Sequence, residues 1–312
     1  MILSVTPNTA IDWTIIVPHF AWNETLRASQ SVWGMASKPA NASYVLAALG
    51  IPTTATGFSA GPTGKKMEEL MKTKGVKFDF VQVEGDTRLD VHIIDQETHG
   101  QSTLVVDTLI VKPEHVEQLY KKYEAALVDA KAVIVGGSMP GTLSKNILPD
   151  LVRMARERDI PVALDTHGKY LLPALEAHPN VIKPNRVELS TLAGKTVITV
   201  EDAYWAAHQV LDKYGAEVIV TLGGTNDALA VLKEHSYLIP VPEVEHVVST
   251  AGAGDAVLAG LGYALAERKP LEEGLRLGFA AAGAVIMTAA TADCRKEDVE
   301  KLLPTIQLIP YK

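Results

Sequence analysis

The chain has 312 residues, 47% hydrophobic and 21% charged, enough to bury a large core in one domain or two. A formal net charge of -8 argues against a nucleic-acid partner, and the single cysteine, Cys294, excludes an internal disulfide or a cysteine-based zinc cluster. Met1 opens no basic segment followed by an apolar one, and the longest apolar stretch, Leu277 to Ala292, is too short and too rich in Ala, Gly and Thr to span a bilayer, so a cytoplasmic protein with no membrane partner is expected.

Ile2 to Thr6 reads as a short buried strand stopped by Pro7, and Trp13 to Val17 as a second one stopped by Pro18. Asp12 then stands at a strand mouth, as an exposed turn carboxylate or as a ligand group. Gly34 to Asn41 is small and turn-rich and precedes an apolar helix predicted over Ala42 to Leu49. Lys38 and Asn41 at that helix start suit a polar ligand; equally, Pro39 serves as a first-turn proline and Asn41 as a turn residue. Thr53 to Phe58 reads as a strand. The following Gly61-Pro62-Thr63-Gly64-Lys65-Lys66 is not a Walker A loop, because two residues rather than four separate its glycines and Lys66 stands where a Ser or Thr would hold magnesium. Lys77 to Val83, Leu89 to Asp95 and Ser102 to Val106 read as three strands, an all-β insert in an otherwise alternating chain.

From Glu114 onward helices and strands alternate, which argues for a parallel sheet covered by helices. The strand ends, where ligands gather in such sheets, carry Gly136 to Gly141 with Ser138, Asp165 to Gly168, Lys183 to Glu188, and Thr221 to Gly224 with Gly223. Asn185 and Glu188 share one face of a first helical turn, either as a capping box or as a pair facing hydrated magnesium and a triphosphate. Strands are predicted at Val218 to Leu222, Ala228 to Leu232 and Tyr237 to Val241, with Asn226 and Asp227 turning between the first two, and one long helix over Leu271 to Ala292. The stretch from Val248 to Gly260 stands apart. Gly252, Ala253 and Gly254 let the backbone turn sharply and aim N–H groups at one point before a helix, an anion hole strengthened by the helix dipole. Asp255 in the first turn can take a proton from a hydroxyl beside that hole, although Asp is also common there as a dipole partner.

Together these motifs resemble the PfkB, or ribokinase-like, carbohydrate kinases over nearly the whole chain. Thr250-x-Gly252-Ala253-Gly254-Asp255 is similar to the C-terminal signature of that family, and Lys183-Pro184-Asn185-x-x-Glu188 to its Asn-x-x-Glu motif. Thr6-x-Asn8-x-Ala10-x-Asp12, Thr87-Arg88 and Gly137-Ser138-Met139-Pro140 are most similar to the 1-phosphofructokinase and tagatose-6-phosphate kinase branch. The resemblance implies one α/β domain over 1–312, a mostly parallel sheet flanked by helices, with a small β lid from strands around 12–33 and 77–106. It implies an ATP- and Mg2+-dependent kinase phosphorylating a hydroxymethyl group of a sugar phosphate, with Asp255 as base and Gly252, Ala253 and Gly254 as anion hole. Lys183, Asn185, Glu188, Thr221 and Gly223 would serve the nucleotide, Asn185 and Glu188 also magnesium through water. Asp12, Arg27, Lys38, Asn41, Arg88 and Ser138 would hold the acceptor, and the lid a second copy of the chain in a homodimer. Three departures fall on the acceptor side: Ala36-Ser37-Lys38-Pro39 lacks the family's glycines, Asp90 replaces an Asn, and Val105 to Thr108 lacks an Asn-x-Pro-Gly stretch. The alternatives are therefore a kinase of an unphosphorylated sugar, nucleoside or similar alcohol, and a catalytically silent sugar-binding regulator.

Overall fold

Aliphatic and β-branched runs form the strands, and Ala- and Leu-rich segments between them the helices. The computed structural model describes all residues except 107, 142 and 223–227. In chain order, β1 (Ile2–Thr6), β2 (Ala10–Val17) and β3 (Gln30–Ala36) lead into α1 (Lys38–Ala48), then β4 (Thr53–Ser59), α2 (Gly61–Thr73) and β5 (Lys77–Gln82). Four strands follow: β6 (Glu84–Gly85), β7 (Arg88–Asp95), β8 (Gln101–Leu104) and β9 (Leu109–Ile110). Next come α3 (Pro113–Leu127), β10 (Ala132–Gly137), α4 (Ile147–Arg156), β11 (Val162–Thr166), α5 (Leu171–Leu175), β12 (Val181–Ile182), α6 (Arg186–Ala193), α7 (Val200–Tyr214) and β13 (Glu217–Thr221). The chain finishes with β14 (Ala228–Val231), β15 (Ser236–Ile239), α8 (Ala253–Ala266), α9 (Leu271–Ile286), α10 (Lys296–Leu302) and β16 (Ile309–Pro310).

The main sheet runs β16-β15-β14-β13-β12-β11-β10-β1-β4-β5, parallel from β5 to β13 and antiparallel beyond. Its strands alternate between two cores, as the pleat requires. Leu3, Val5, Val133 and Val135 pack with Leu119, Leu151 and Val210 of α3, α4 and α7, whereas Ile2, Ala132 and Ile134 pack with Val45 of α1 and with α8 and α9. The chain leaves β1 towards β4 on one side and later returns to β10 on the other. The carboxyl ends of β1 and β10 therefore flank a switch point, where open parallel sheets leave a crevice.

A second sheet, β3-β2-β7-β8, forms the lid. The expected lid segment Lys77 to Val83 does not belong to it. β5 pairs in parallel with β4 at the edge of the main sheet, because Phe80 and Val81 are buried in separate clusters on its two faces. Asp12 is also not at a strand mouth: it lies inside β2, opposite Gly34 of β3 and Asp90 of β7, and only 3% exposed. α1 starts at Lys38 rather than Ala42, since Pro39 fits a first turn and Ser37 takes the cap position at φ 75. A non-glycine residue there is strained. α9 stops at Ile286 instead of reaching Ala292, and beyond it the Thr288 hydroxyl donates to backbone carbonyls of the following turn, Ala290 and Asp293 among them.

Candidate active site

At the switch point lies a cavity of about 450 Å³ whose walls include Ser37, Lys38, Arg88, Ser138, His167 and Asp255. A larger cleft of about 690 Å³ sits at the opposite ends of the strands, beside Lys131 and Pro161. The smaller cavity is the candidate site, because a titratable carboxylate, two cations and a helix N-terminus converge on it.

Gly252 caps α8 in the left-handed region at φ 85, and a Cβ there would come within 2.5 Å of the Ala292 nitrogen. Only glycine fits. The N–H groups of Asp255 and Ala256 turn back onto the Gly252 carbonyl, while that of Ala253 reaches the Thr250 carbonyl only at 3.4 Å. Ala253 and Gly254 thus head the dipole of a helix whose first turn faces the cavity. Asp255 accepts a hydrogen bond from the Asn41 side-chain amide at 2.6 Å. Burial pushes its carboxyl up to about 6; the Asn41 bond opposes this, the Asp165 charge adds to it, and Lys183 and Lys38 oppose it. A carboxylate so poised can accept a proton near neutral pH.

Asp165, at the carboxyl end of β11 and 1% exposed, joins the two sides of the site. Its two oxygens pair with Lys38 at 2.5 Å and Lys183 at 2.7 Å. Burial alone would raise the Asp165 carboxyl, but the two ammonium groups outweigh it and hold it below the usual range. Burial disfavours the charge on Lys38, yet Asp165 and Glu188, the latter 4.0 Å away, raise it overall. Asn185 caps α6, its side chain accepting from the Glu188 N–H at 2.9 Å while the Glu188 carboxylate accepts from the Asn185 N–H at 2.7 Å. The capping box is therefore real. It occupies Oε2 of Glu188 and leaves Oε1 on the side of Lys38. Thr221 lies beside Asn185 through a parallel bridge. Gly223 lies outside the described residues, as do Asn226 and Asp227.

On the lid side of the cavity, Arg88 donates to Asp90 at 2.8 Å and to the Ser138 hydroxyl at 3.0 Å, which also accepts from Asn8 at 3.0 Å. Asp12 is held by His92 at 3.0 Å and by the Thr291 hydroxyl. Arg27 is not brought in: it is exposed in the connection between β2 and β3. The sequence marks Asp165 only as part of a polar strand end, with no role of its own, and gives no sign of His92 or Thr291 as site residues. Asp165 carried a signal, a carboxylate at a parallel-strand end ahead of the Lys183 strand. Thr291 carried none, being 279 residues from its partner Asp12.

A buried carboxylate at the head of a helix, with two lysines on one side and guanidinium and hydroxyl groups on the other, is the set of groups that phosphoryl transfer to an alcohol calls for. The chain belongs to the pfkB family of carbohydrate kinases, whose model matches residues 4–298. It is 35% identical to a 1-phosphofructokinase of Haloferax volcanii, over 96% of this chain and 95% of that one. It is 28% identical to a tagatose-6-phosphate kinase of Staphylococcus epidermidis, over 99% of both. Among solved structures, one described as a possible 1-phosphofructokinase of Thermotoga maritima superposes with a TM-score of 0.90 at 27% identity, covering 100% of this chain and 99% of that one. The fold is ribokinase-like, and ATP is the co-substrate of such a kinase. Among the described residues no helix is long and apolar enough to cross a membrane.

Proposed function

We propose that the protein transfers the terminal phosphoryl group of ATP to a hydroxymethyl group of a sugar phosphate of the fructose 1-phosphate or tagatose 6-phosphate kind. Asp255 carries this reading: its carboxyl, raised to about 6, shares one cavity with Lys38, Arg88 and Ser138 and stands at the head of α8. In-line attack needs a proton acceptor on the hydroxyl and fixed positive ends at the phosphoryl oxygens, and this corner offers both. Ala253 and Gly254 receive the phosphoryl oxygens, Lys183, Asn185, Thr221 and Gly223 the nucleotide, and Asp12, Asn41, Arg88 and Ser138 the acceptor. Arg27 reaches an acceptor only if its loop moves or a second copy approaches.

The donor set suits magnesium held through water. No cluster of three or more His, Cys, Asp or Glu able to hold a metal ion occurs among the described residues, but Glu188 keeps one oxygen outside the capping box, on the side of Lys38. Magnesium keeps several waters and takes one or two carboxylates plus phosphates, so Glu188 and Asn185 would hold it through water. When bound, it neutralises charge on the phosphates.

A neutral acceptor is the second reading, favoured by one observation. Both cations facing the cavity are already paired, Lys38 with Asp165 and Arg88 with Asp90. An ADP-release screen over fructose 1-phosphate, tagatose 6-phosphate, fructose 6-phosphate, free sugars and nucleosides separates the readings. Turnover confined to the unphosphorylated compounds would overturn the first.

A second copy is expected on the lid. Trp33, Trp13, Val91 and Leu104 stand in register across all four lid strands, with Trp33 and Leu104 exposed, while Asp12 and Asp90 sit buried in the neighbouring register row. A lid with polar groups buried and apolar groups outside is suited to a partner that covers the outer row.

A further inference from the structure

One buried titratable group in this site has no part in the chemistry above. His92, on β7 and 9% exposed, directs Nε2 to Asp12 at 3.0 Å and Nδ1 to the Thr103 hydroxyl of β8 at 2.9 Å. A hydroxyl both donates and accepts. Thr103 therefore satisfies the ring whether Nδ1 carries a proton or not, and titration of His92 changes the local charge without breaking its contacts. Around it, β2 presents Asp12 and, opposite in register, Thr14; β7 presents Asp90, paired with Arg88; β8 adds Gln101. From the body of the molecule, Thr291 donates to Asp12.

Arg88 answers the charge of Asp90. Asp12 is another buried carboxylate of the lid, and among the described residues the group within ion-pair distance of it is His92. We propose that His92 is a positioning residue for the acceptor: it fixes Asp12 from the lid side, as Thr291 does from the body side, and supplies the counter-charge that lets an anionic sugar approach two carboxylates. This rests on the proposed contact between Asp12 and the acceptor. With His92 charged, Asp12, Asp90, Arg88 and His92 sum to zero; with it neutral they carry one negative charge. Burial by itself would lower the His92 pKa, but the bond to Asp12 and the charges of Asp12 and Asp90 outweigh burial and raise it. The charge is thus present at low pH and is lost as pH rises through that raised value.

The test compares wild type with His92→Lys, His92→Gln and Asp12→Asn on fructose 1-phosphate, tagatose 6-phosphate and fructose 6-phosphate, from about pH 6 to about pH 9. In the wild type the acceptor KM should rise roughly three- to tenfold with pH, with kcat changing less and the ATP KM following neither. His92→Lys keeps the charge and should flatten the rise; His92→Gln should show the high-pH KM throughout. Titration of the phosphosugar itself is common to all variants and drops out of the comparison. An NMR titration of the His92 ring gives a reading independent of activity, expected above the ordinary value of about 6.5. A His92 that titrates below that value, or a His92→Lys variant that follows the wild-type profile, would overturn the proposal. Failure of the underlying reading is distinct: Asp12→Asn would then leave the acceptor KM unchanged.

Discussion

At the scale of single residues, the site is governed by which charges are paired before any substrate enters. Asp255 is tied by Asn41 and raised by burial, so its proton-free form should dominate only above about pH 6. Turnover should accordingly rise with pH through about 6, the direction expected of a base that must be deprotonated, and a rate that instead falls through that window would contradict the assignment. Asp90 gives a prediction whose sign separates the two acceptor classes. Burial raises its carboxyl and Arg88 opposes that, so the pair holds a cation that a phosphosugar would otherwise take. Asp90→Asn should lower the KM for a phosphosugar several-fold, whereas for a neutral sugar it removes an acceptor and should raise it. Steady-state kinetics on the substrate from the screen read this directly. Asp255 and Asn41 were legible as residue types at plausible spacings. Their mutual contact was not, because 214 positions separate them and no local pattern encodes such a pair.

At the scale of elements, short motifs survived better than boundaries. The head of α8 forms as its Gly-Ala-Gly-Asp pattern requires, since a left-handed glycine followed by Ala-rich chain leaves few other conformations. α1 began four residues early because Lys38-Pro39 reads equally well as a turn or as a first helical turn, and burial of Ala40 and Asn41 decided for the helix. β5 was assigned to the wrong sheet for a similar reason. Its pattern describes a partly buried strand, and only the contacts of Phe80 and Val81 say which neighbour it pairs with. For α6, cap and metal site need not compete, since the capping box uses one oxygen of Glu188 and magnesium-bound water would use the other. Glu188→Gln should therefore keep the cap and shift the thermal midpoint little, while the magnesium concentration for half-maximal rate rises several-fold. Thermal melts alongside a magnesium titration distinguish this from a cap alone, which would lower the midpoint and leave the magnesium dependence as it was.

At the scale of the whole molecule, the parallel sheet supplies the crevice, α8 supplies the positive end, and the lid closes over with its polar face buried. Composition and alternation sufficed to read the parallel sheet, because a helix after nearly every strand admits few other arrangements. The lid was legible as an insert but not as a surface, since the row of Trp33, Trp13, Val91 and Leu104 exists only once four strands are in register. If a second copy covers that row, Trp33→Lys with Leu104→Lys should convert a dimer to monomer in light scattering; a wild-type protein that is monomeric at micromolar concentration would remove the argument. Phosphoryl transfer to a phosphosugar with Asp255 as base is read out by 31P NMR of the protein mixed with ATP, magnesium and each of the three candidate phosphosugars. ADP should appear together with a second phosphomonoester signal on one sugar, at a rate about two to four orders of magnitude lower for Asp255→Asn. Release of inorganic phosphate alone, or an Asp255→Asn variant that matches wild type, would contradict it.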